Sequence, residues 1–188
     1  LYKIMQKCNK SIILTFIIFL FIVQISFAQN NDSLNVKWNY NKLMEPYSFD
    51  NGLIITPPPY FVPFKQLDKE GFINPQMLSS IELQRKNNVP YPILANQIKE
   101  NLEKQKIFLI NEEKNLTNNN KSCLIYEFIY NSMSSNGENI DFHQIILITG
   151  DYKQSIIAIA VFPEMHYKIL HLVMRESLLS IDWKEPEL

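Results

Sequence analysis

Glycine and cysteine are scarce in this sequence, and each scarcity excludes a class of protein. Only four of the 188 residues are glycines, and Gly150 stands apart from the others, so no glycine-rich loop is present to cradle a phosphate group. The two cysteines, Cys8 and Cys123, are far apart in sequence and form no paired-cysteine motif that could bind zinc or exchange disulfides. A nucleotide-binding P-loop and a disulfide-stabilised scaffold are therefore excluded.

The first 28 residues have the layout of a secretory signal peptide. Three lysines precede an apolar run, 12–23, and the small residues Ser26 and Ala28 follow it. A membrane-spanning helix needs about 20 apolar residues, so the shorter run favours a cleaved signal over the alternative, an uncleaved anchor. A lipoprotein would need a cysteine after the run, whereas Cys8 precedes it. We predict cleavage near Ala28 and export to the periplasm or the extracellular space, with membrane contact only through this segment during export.

Cleavage would also change the charge balance. The whole chain has 18 basic and 19 acidic residues; removal of the three lysines in 1–28 leaves 15 basic residues against 19 acidic ones, a net charge of −4. No cluster of lysine and arginine remains, and nucleic-acid binding needs such a cluster to neutralise phosphates. Nucleic acid is therefore excluded as a partner. Cys123 becomes the single cysteine, so no intramolecular disulfide can form.

The remaining chain divides into a leader and one domain. Residues 29–45 are polar and rich in asparagine, which predicts a flexible leader. Residues 46–188 carry alternating strand and helix patterns without internal repeats, which predicts a single α+β domain. The predicted elements are a hairpin around Asn51-Gly52, strands over 79–84, 107–113, 122–131, 140–149 and 155–162, and amphipathic helices over 92–105 and 163–180. The expected fold class is an antiparallel β-sheet covered by the two helices.

A proline-rich stretch, 57–64, contains the aromatic residues Tyr60, Phe61 and Phe64. Proline removes a ladder donor, so this stretch is predicted to be an extended loop rather than a central strand. Its aromatic side chains have two interpretations. They form a recognition surface for a partner, or they tuck under the edge of the sheet in a rigid connector.

The last predicted helix has apolar residues on two sides. Its inner face is predicted from the helical spacing of Leu170, Val173, Met174, Ser177 and Ile181. Met165, Leu172 and Leu179 recur every seven residues on the opposite side. Exposed apolar residues in a row indicate a partner surface. The alternative is that the leader or the proline-rich loop covers them.

The residues that could carry chemistry form no recognisable motif. His166 and His171 are five apart on a helix, so their side chains diverge, and no metal site is predicted from them. Asp141 and His143 share one face of a strand and could serve a nucleophile, but no Gly-x-Ser-x-Gly elbow is present. Cys123, in an apolar strand, is predicted to be inert core. No catalytic, metal-binding or cofactor-binding residue is therefore assigned.

Residues 71–183 resemble the Mog1/PsbP-like superfamily. The resemblance rests on the segment 72–75, the strand 79–84, the helix 92–105, the strands ending in 148–151 and leading into Pro163, and the final helix ending in 177–181. It implies an α/β/α sandwich around an antiparallel sheet. It also implies a small non-catalytic binding or accessory protein, and several bacterial members are exported. No site residue is carried across, because partner surfaces differ between members and fold does not determine function.

Three functional hypotheses follow. The first is an exported, non-enzymatic accessory or binding protein whose partner is another envelope protein. The second is a carrier of a small apolar ligand or lipid, with a pocket between sheet and helix. The third is a hydrolase that uses Asp141 and His143.

Overall fold

The computed structural model describes residues 39–40, 42–66, 69–133 and 137–184. The predicted signal peptide and the leader up to residue 38 lie outside these residues. By their contacts the described residues within 37–132 and 140–188 form one compact unit. The fold below is that of this unit, together with the strand residues 133 and 139.

The described residues form ten β-strands and two α-helices. The strands are β1 (Tyr47–Ser48), β2 (Leu53–Ile55), β3 (Val62–Gln66), β4 (Lys69–Asn74), β5 (Ser79–Asn87), β6 (Asn111–Leu116), β7 (Ser122–Met133), β8 (Asn139–Gly150), β9 (Gln154–Pro163) and β10 (Asp182–Trp183), and the helices are α1 (Tyr91–Lys104) and α2 (Tyr167–Leu179). Short 3-10 turns, Pro75–Met77 and Glu164–His166, follow β4 and precede α2. The predicted α+β fold class with antiparallel sheets and two helices is confirmed.

Seven strands form one large sheet in the order β3-β4-β5-β9-β8-β7-β6. The central strands β8 and β9 are almost completely buried, because both of their faces are covered. Successive side chains of a strand point to opposite faces. Ile125 of β7 therefore joins the core cluster that includes Leu170 of α2, whereas its neighbour Tyr126 donates its hydroxyl hydrogen bond to the carbonyl of Ala95 in α1, at 3.5 Å. The two helices lie on opposite faces of the sheet.

Strands β1, β2 and β10 form a second, three-stranded sheet on the α2 side. The predicted turn between β1 and β2 is confirmed: Gly52 has a φ of +80°, and the Asn51 side chain accepts a hydrogen bond from the Leu53 amide at 2.9 Å. Ser177 of α2 donates its hydroxyl hydrogen bond to the Thr56 carbonyl, 2.7 Å away. Ser180 accepts a hydrogen bond from the Thr56 amide at 2.8 Å. The small sheet is thereby fixed to the end of α2.

The proline-rich stretch is not entirely a loop. Val62–Gln66 pairs with β4 and is the edge strand β3 of the large sheet. Pro63 is compatible with this position, because an edge strand leaves one side of its backbone unpaired. The prediction of a loop is therefore wrong for residues 62–64. Strand β4 was not predicted, and residues 62–66 form a strand because they pair with it.

The predicted strand over 107–113 begins four residues later, at Asn111. Helix α1 ends in a cap in which the Ile107 amide bonds to the Leu102 carbonyl and the Lys106 amide to the Glu103 carbonyl, both at 2.9 Å. Lys106 has a φ of +58°, as this cap requires. Ile107 therefore belongs to the helix end and not to a strand.

No helix within the described ranges combines the length and the apolar character that a membrane crossing requires.

Candidate functional site

The predicted surface around Tyr60 and Phe64 is divided between solvent and core. Tyr60 is exposed and Phe64 is half-buried, but Phe61 is only 8% exposed and belongs to the hydrophobic core. Tyr60 has a φ of +67°, and its ring packs edge-on against Tyr40 at 5.6 Å. Because of this turn, the Phe61 side chain lies in the hydrophobic core just before β3 begins. For Phe61 the burial agrees with the second interpretation, in which the aromatic side chains tuck under the sheet, and it removes Phe61 from the predicted partner surface.

The outward side of α2 exposes apolar residues beside the charged Lys168 and Glu176, and the apolar residues differ from the predicted ones. Met165, in the 3-10 turn before the helix, is 82% exposed, and Ile169 and Leu172 of α2 are 50% and 66% exposed; we call these three residues the outer α2 face. Leu179 instead packs against the hydrophobic core. Leu179 is the last residue of α2, and the turn between β6 and β7 contacts this end of the helix, since the Asn118 amide donates to the Leu179 carbonyl at 2.8 Å. Ile169, four residues after Met165, is the third exposed apolar residue instead.

Between α2 and the large sheet lies a buried polar group that sequence reasoning did not find. We call it the Glu127 cluster. Its members are Asn111, Glu113, Glu127, His143, Glu164, His171 and Arg175. Three neighbouring strands and the two segments that follow β9 contribute to it. It lies on the face of the sheet that carries the core cluster.

Alternation along the strands places these polar residues inside. Glu127 follows Cys123 and Ile125 at intervals of two, and both of those residues are in the core. Asn111 of β6 is directly opposite Glu127 in the antiparallel register. His143 precedes the core residue Ile145 by two positions on β8. The same periodicity that buries the aliphatic side chains therefore buries the cluster.

The Glu127 carboxylate is 4% exposed and uses both of its oxygens. Oε1 accepts hydrogen bonds from Arg175 at 2.9 Å and from Asn111 at 3.2 Å. Oε2 lies 3.0 Å from His171 Nε2 and 3.4 Å from His143 Nε2. Burial by itself raises the pKa of Glu127, but the hydrogen bonds from the histidines and Asn111 outweigh it and hold the pKa well below its usual range. The group is therefore a carboxylate.

His143 is held on both sides and is 1% exposed. Its Nδ1 lies 3.0 Å from Glu164 Oε2, in the 3-10 turn before α2. Its ring stacks on Phe162 with centroids 5.1 Å apart. The ring orientation is thereby fixed, with Nε2 directed at Glu127.

His171 and Arg175 are one helical turn apart on α2, and both side chains extend from the helix toward the sheet and into the cluster. Tyr167, a turn earlier, stacks on the His171 ring at a centroid distance of 4.5 Å. Arg175 bridges two strands, because its second nitrogen donates to Glu113 on β6 at 2.6 Å. Both members of the acidic pair at 112–113 form ion pairs: Glu113 with Arg175 and the more exposed Glu112 with Lys99 of α1.

The charges of the cluster are divided between its interior and solvent. Glu127 is buried and pairs with the guanidinium of Arg175 at 2.9 Å, whereas the side chains of Glu113 and Glu164 are 33% and 36% exposed, so water screens their charges. Glu127 and the two histidines each offer one ligand atom, and these atoms lie within 4.8 Å of one another and could hold a metal cation.

The structure does not assemble the hydrolytic arrangement. Asp141 is exposed and accepts a hydrogen bond from Asn131, 2.9 Å away, while the ring nitrogens of His143 face Glu127 and Glu164. Cys123 is buried, and burial raises the pKa of its thiol to about 11. Cys123 is therefore the inert core residue that its strand predicted.

A cleft of about 190 Å³ lies beside the first hairpin. Its walls come from the hairpin and from β3 and β4: Tyr47, Phe49, Asp50, Pro63, Phe64, Lys65 and Glu70. Ligand pockets for small molecules usually measure about 300–1,000 Å³. This cleft is smaller, and it does not lie between sheet and helix, where the carrier hypothesis expected a pocket.

No family model matches the sequence, and no curated protein matches it. Similar folds are found among solved structures. A crystal structure from Bacteroides thetaiotaomicron VPI-5482 matches 77% of this chain with a TM-score of 0.53 and 12% identity. The chain spans about half the length of that protein, since 50% of it is covered.

Two further structures match over almost their whole length. The solution structure of cyanobacterial PsbP (CyanoP) from Synechocystis sp. PCC 6803 has a TM-score of 0.52 and 12% identity over 82% of this chain and 99% of its own. The Ran-binding protein Mog1p from Saccharomyces cerevisiae has a TM-score of 0.53 and 8% identity over 76% of this chain and 96% of its own. The chain has the Mog1/PsbP-like fold, as the resemblance implied.

Proposed function

We propose that this chain is an exported, non-enzymatic binding protein that docks onto another envelope protein through the outer α2 face. The observation that carries this proposal is the exposure of Met165, in the 3-10 turn, and of Ile169 and Leu172 on the side of α2 that faces away from the core. Large apolar side chains grouped in this way are typical of protein contact surfaces. The partner surface is expected to be apolar as well.

The comparisons support a binding role in a general way. The printed description of Mog1p is that of a Ran-binding protein, so one protein with this fold acts by binding another protein. Fold likeness alone does not transfer a partner. The fold neighbours are compatible with a non-enzymatic binding role, and the arrangement around His143 gives the hydrolase hypothesis no support.

Export is supported by the sequence of residues 1–28. The lysines, the apolar run and the small residues before position 29 have the order that secretion signals require. N-terminal sequencing of the protein from its native cells would test this. A first residue close to 29 is expected, and a retained N-terminal segment would contradict cleavage.

The docking surface is tested with a photo-crosslinking residue placed at Leu172 in the native cells. We expect one adduct with a second protein, and we expect Ile169→Asp in the same chain to remove it without changing the thermal unfolding transition. The matched control is the same photo-crosslinking residue at Ile93, an exposed isoleucine on α1.

Three outcomes would contradict the proposal. Equal capture from positions 172 and 93 would show nonspecific contact. An adduct of twice the mass of the chain would assign the surface to a second copy. Loss of the folded state in Ile169→Asp would show that the outer α2 face is core.

A further inference from the structure

We propose that Glu127, His143 and His171 form a binding site for a divalent transition-metal ion of the zinc class. The ligand atoms are Glu127 Oε2 and the Nε2 atoms of the two histidines. This inference is independent of the proposed docking surface, and either can fail without the other.

The distances suit metal coordination. A tetrahedral zinc ion with bonds of about 2.0–2.1 Å holds its ligand atoms about 3.3 Å apart. Glu127 Oε2 lies 3.4 Å from His143 Nε2 and 3.0 Å from His171 Nε2, and all three atoms fall within 4.8 Å of one another. The separation of Glu127 Oε2 from His143 Nε2 is already close to this value.

The surrounding hydrogen bonds orient the ligands as metal sites require. In metal sites the second ring nitrogen of a histidine usually donates to a carboxylate, which fixes the tautomer. Glu164 occupies this position at His143 Nδ1, 3.0 Å away. A metal ion would take the place of the hydrogen bond between His143 Nε2 and Glu127 Oε2, with the ring proton on Nδ1 facing Glu164.

Hydrogen bonds also orient the Glu127 carboxylate for metal binding. Arg175 and Asn111 donate to Oε1 at 2.9 and 3.2 Å, which leaves Oε2 directed at the histidines. Two imidazoles and one carboxylate form a donor set that suits zinc, copper or nickel better than magnesium or calcium.

The site is accessible from one side. His143 and Glu127 are buried, whereas the His171 side chain is 22% exposed beside the partly exposed Tyr167. Three protein ligands leave a fourth position on a tetrahedral ion, as in zinc sites that keep a water or bind a further ligand. That position would face the side on which His171 meets solvent.

Calorimetric titration of the chelator-treated chain with Zn²⁺ tests the site. We expect saturable binding of one Zn²⁺ per chain and its loss in His171→Gln and His143→Gln. Glu164→Gln, which disturbs only the orientation of His143, should weaken binding about 10–100-fold. His166→Gln is the matched control, because His166 is the third histidine of the chain and lies outside the ligand set.

Visible absorption with Co²⁺ in place of Zn²⁺ provides a second readout, since tetrahedral coordination produces much stronger bands than octahedral coordination. Far-ultraviolet circular dichroism checks that each variant is folded. If the buried His143 variant does not fold, the partly exposed His171 variant still decides the question. The absence of stoichiometric Zn²⁺ binding to the wild-type chain would overturn the proposal. Equal loss of binding in His166→Gln would overturn it too.

Discussion

Helices α1 and α2 cover opposite faces of the same sheet, but they distribute polarity in opposite ways. The inner side of α1 consists of apolar residues such as Leu94, Ala95 and Leu102, and much of its outer side is polar. Helix α2 also buries apolar residues, but it brings His171 and Arg175 into contact with the sheet and exposes Ile169 and Leu172, beside Met165 of the preceding 3-10 turn. An ordinary amphipathic helix looks like α1. Helix α2 departs from this pattern in two places, at its polar contacts with the sheet and at its exposed apolar residues. These are the two places for which we propose a function.

Removing the central carboxylate should produce the largest effect. In Glu127→Gln the guanidinium of Arg175 loses its buried carboxylate partner, and breaking a buried ion pair from one side typically costs about 3–5 kcal/mol. Urea unfolding of the metal-free chain measures the change in the free energy of unfolding. Glu112→Gln is the control, because Glu112 pairs with Lys99 at the surface and on the α1 side. A Glu127→Gln chain as stable as wild type would show that the cluster does not hold α2.

Two leucines two positions apart separate the faces of α2. Leu170 is fully buried and Leu172 is 66% exposed. Leu170→Ala should lower the free energy of unfolding by about 2–5 kcal/mol, while Leu172→Ala should stay within about 0.5 kcal/mol of wild type. Thermal or urea unfolding distinguishes them. Similar losses in both variants would mean that the outer α2 face is covered, and the contrast with α1 would disappear.

The smallest effect is expected at the turn that anchors the start of α1. Asp151 accepts hydrogen bonds from the amides of Lys153 and Gln154 at 2.6 and 2.9 Å, and its carbonyl accepts from the Tyr91 amide at 3.4 Å. Burial is the largest single influence and raises the pKa of Asp151, but the hydrogen bonds from Lys153 and Gln154 together outweigh it and lower the pKa below its ordinary value of 3.8.

The lowered pKa of Asp151 in the folded chain determines how its contribution to stability changes with pH. The unfolded chain binds the proton more readily, so this contribution is complete above about pH 5 and is lost as the pH falls through the unfolded and then the folded pKa. Asp151→Asn should therefore flatten the pH dependence of the unfolding midpoint between about pH 5 and 3. Unfolding curves across that range measure it. An unchanged slope would show that the Asp151 carboxylate does not stabilise the turn.

The periodicity of the apolar residues predicted which of them are buried, but it could not predict the Glu127 cluster. The inner face of α2 and the alternation in β7–β9 follow from local spacing, and the structure buries Leu170, Val173, Met174, Ser177 and Ile181 as expected. Glu127, His143 and His171 are 16 to 44 residues apart, so only the tertiary fold brings them together. A single acidic residue within an otherwise apolar strand face was the available signal.

Strand β4 was missed for a related reason. Gly71 interrupts its pattern, yet the close approach of β5 requires a glycine: a Cβ atom at that position would lie 1.9 Å from the Ile81 carbonyl oxygen. Such a contact depends on the partner strand, which local spacing does not contain. Without β4, the neighbouring residues 62–64 could only be predicted as a loop.

The pairing of β5 with β9 has a consequence for the order of events during folding. Ser80 lies opposite Val161 and Asn87 opposite Gln154, so the middle of the sheet joins segments separated by most of the domain. Contacts of high sequence separation slow folding, because a long loop must close before they form. A chain emerging N-terminus first would hold β5 without its inner neighbour until residue 163 had followed. The sheet is therefore completed late, from its centre, and the exposed edge of β5 is where premature self-association would begin.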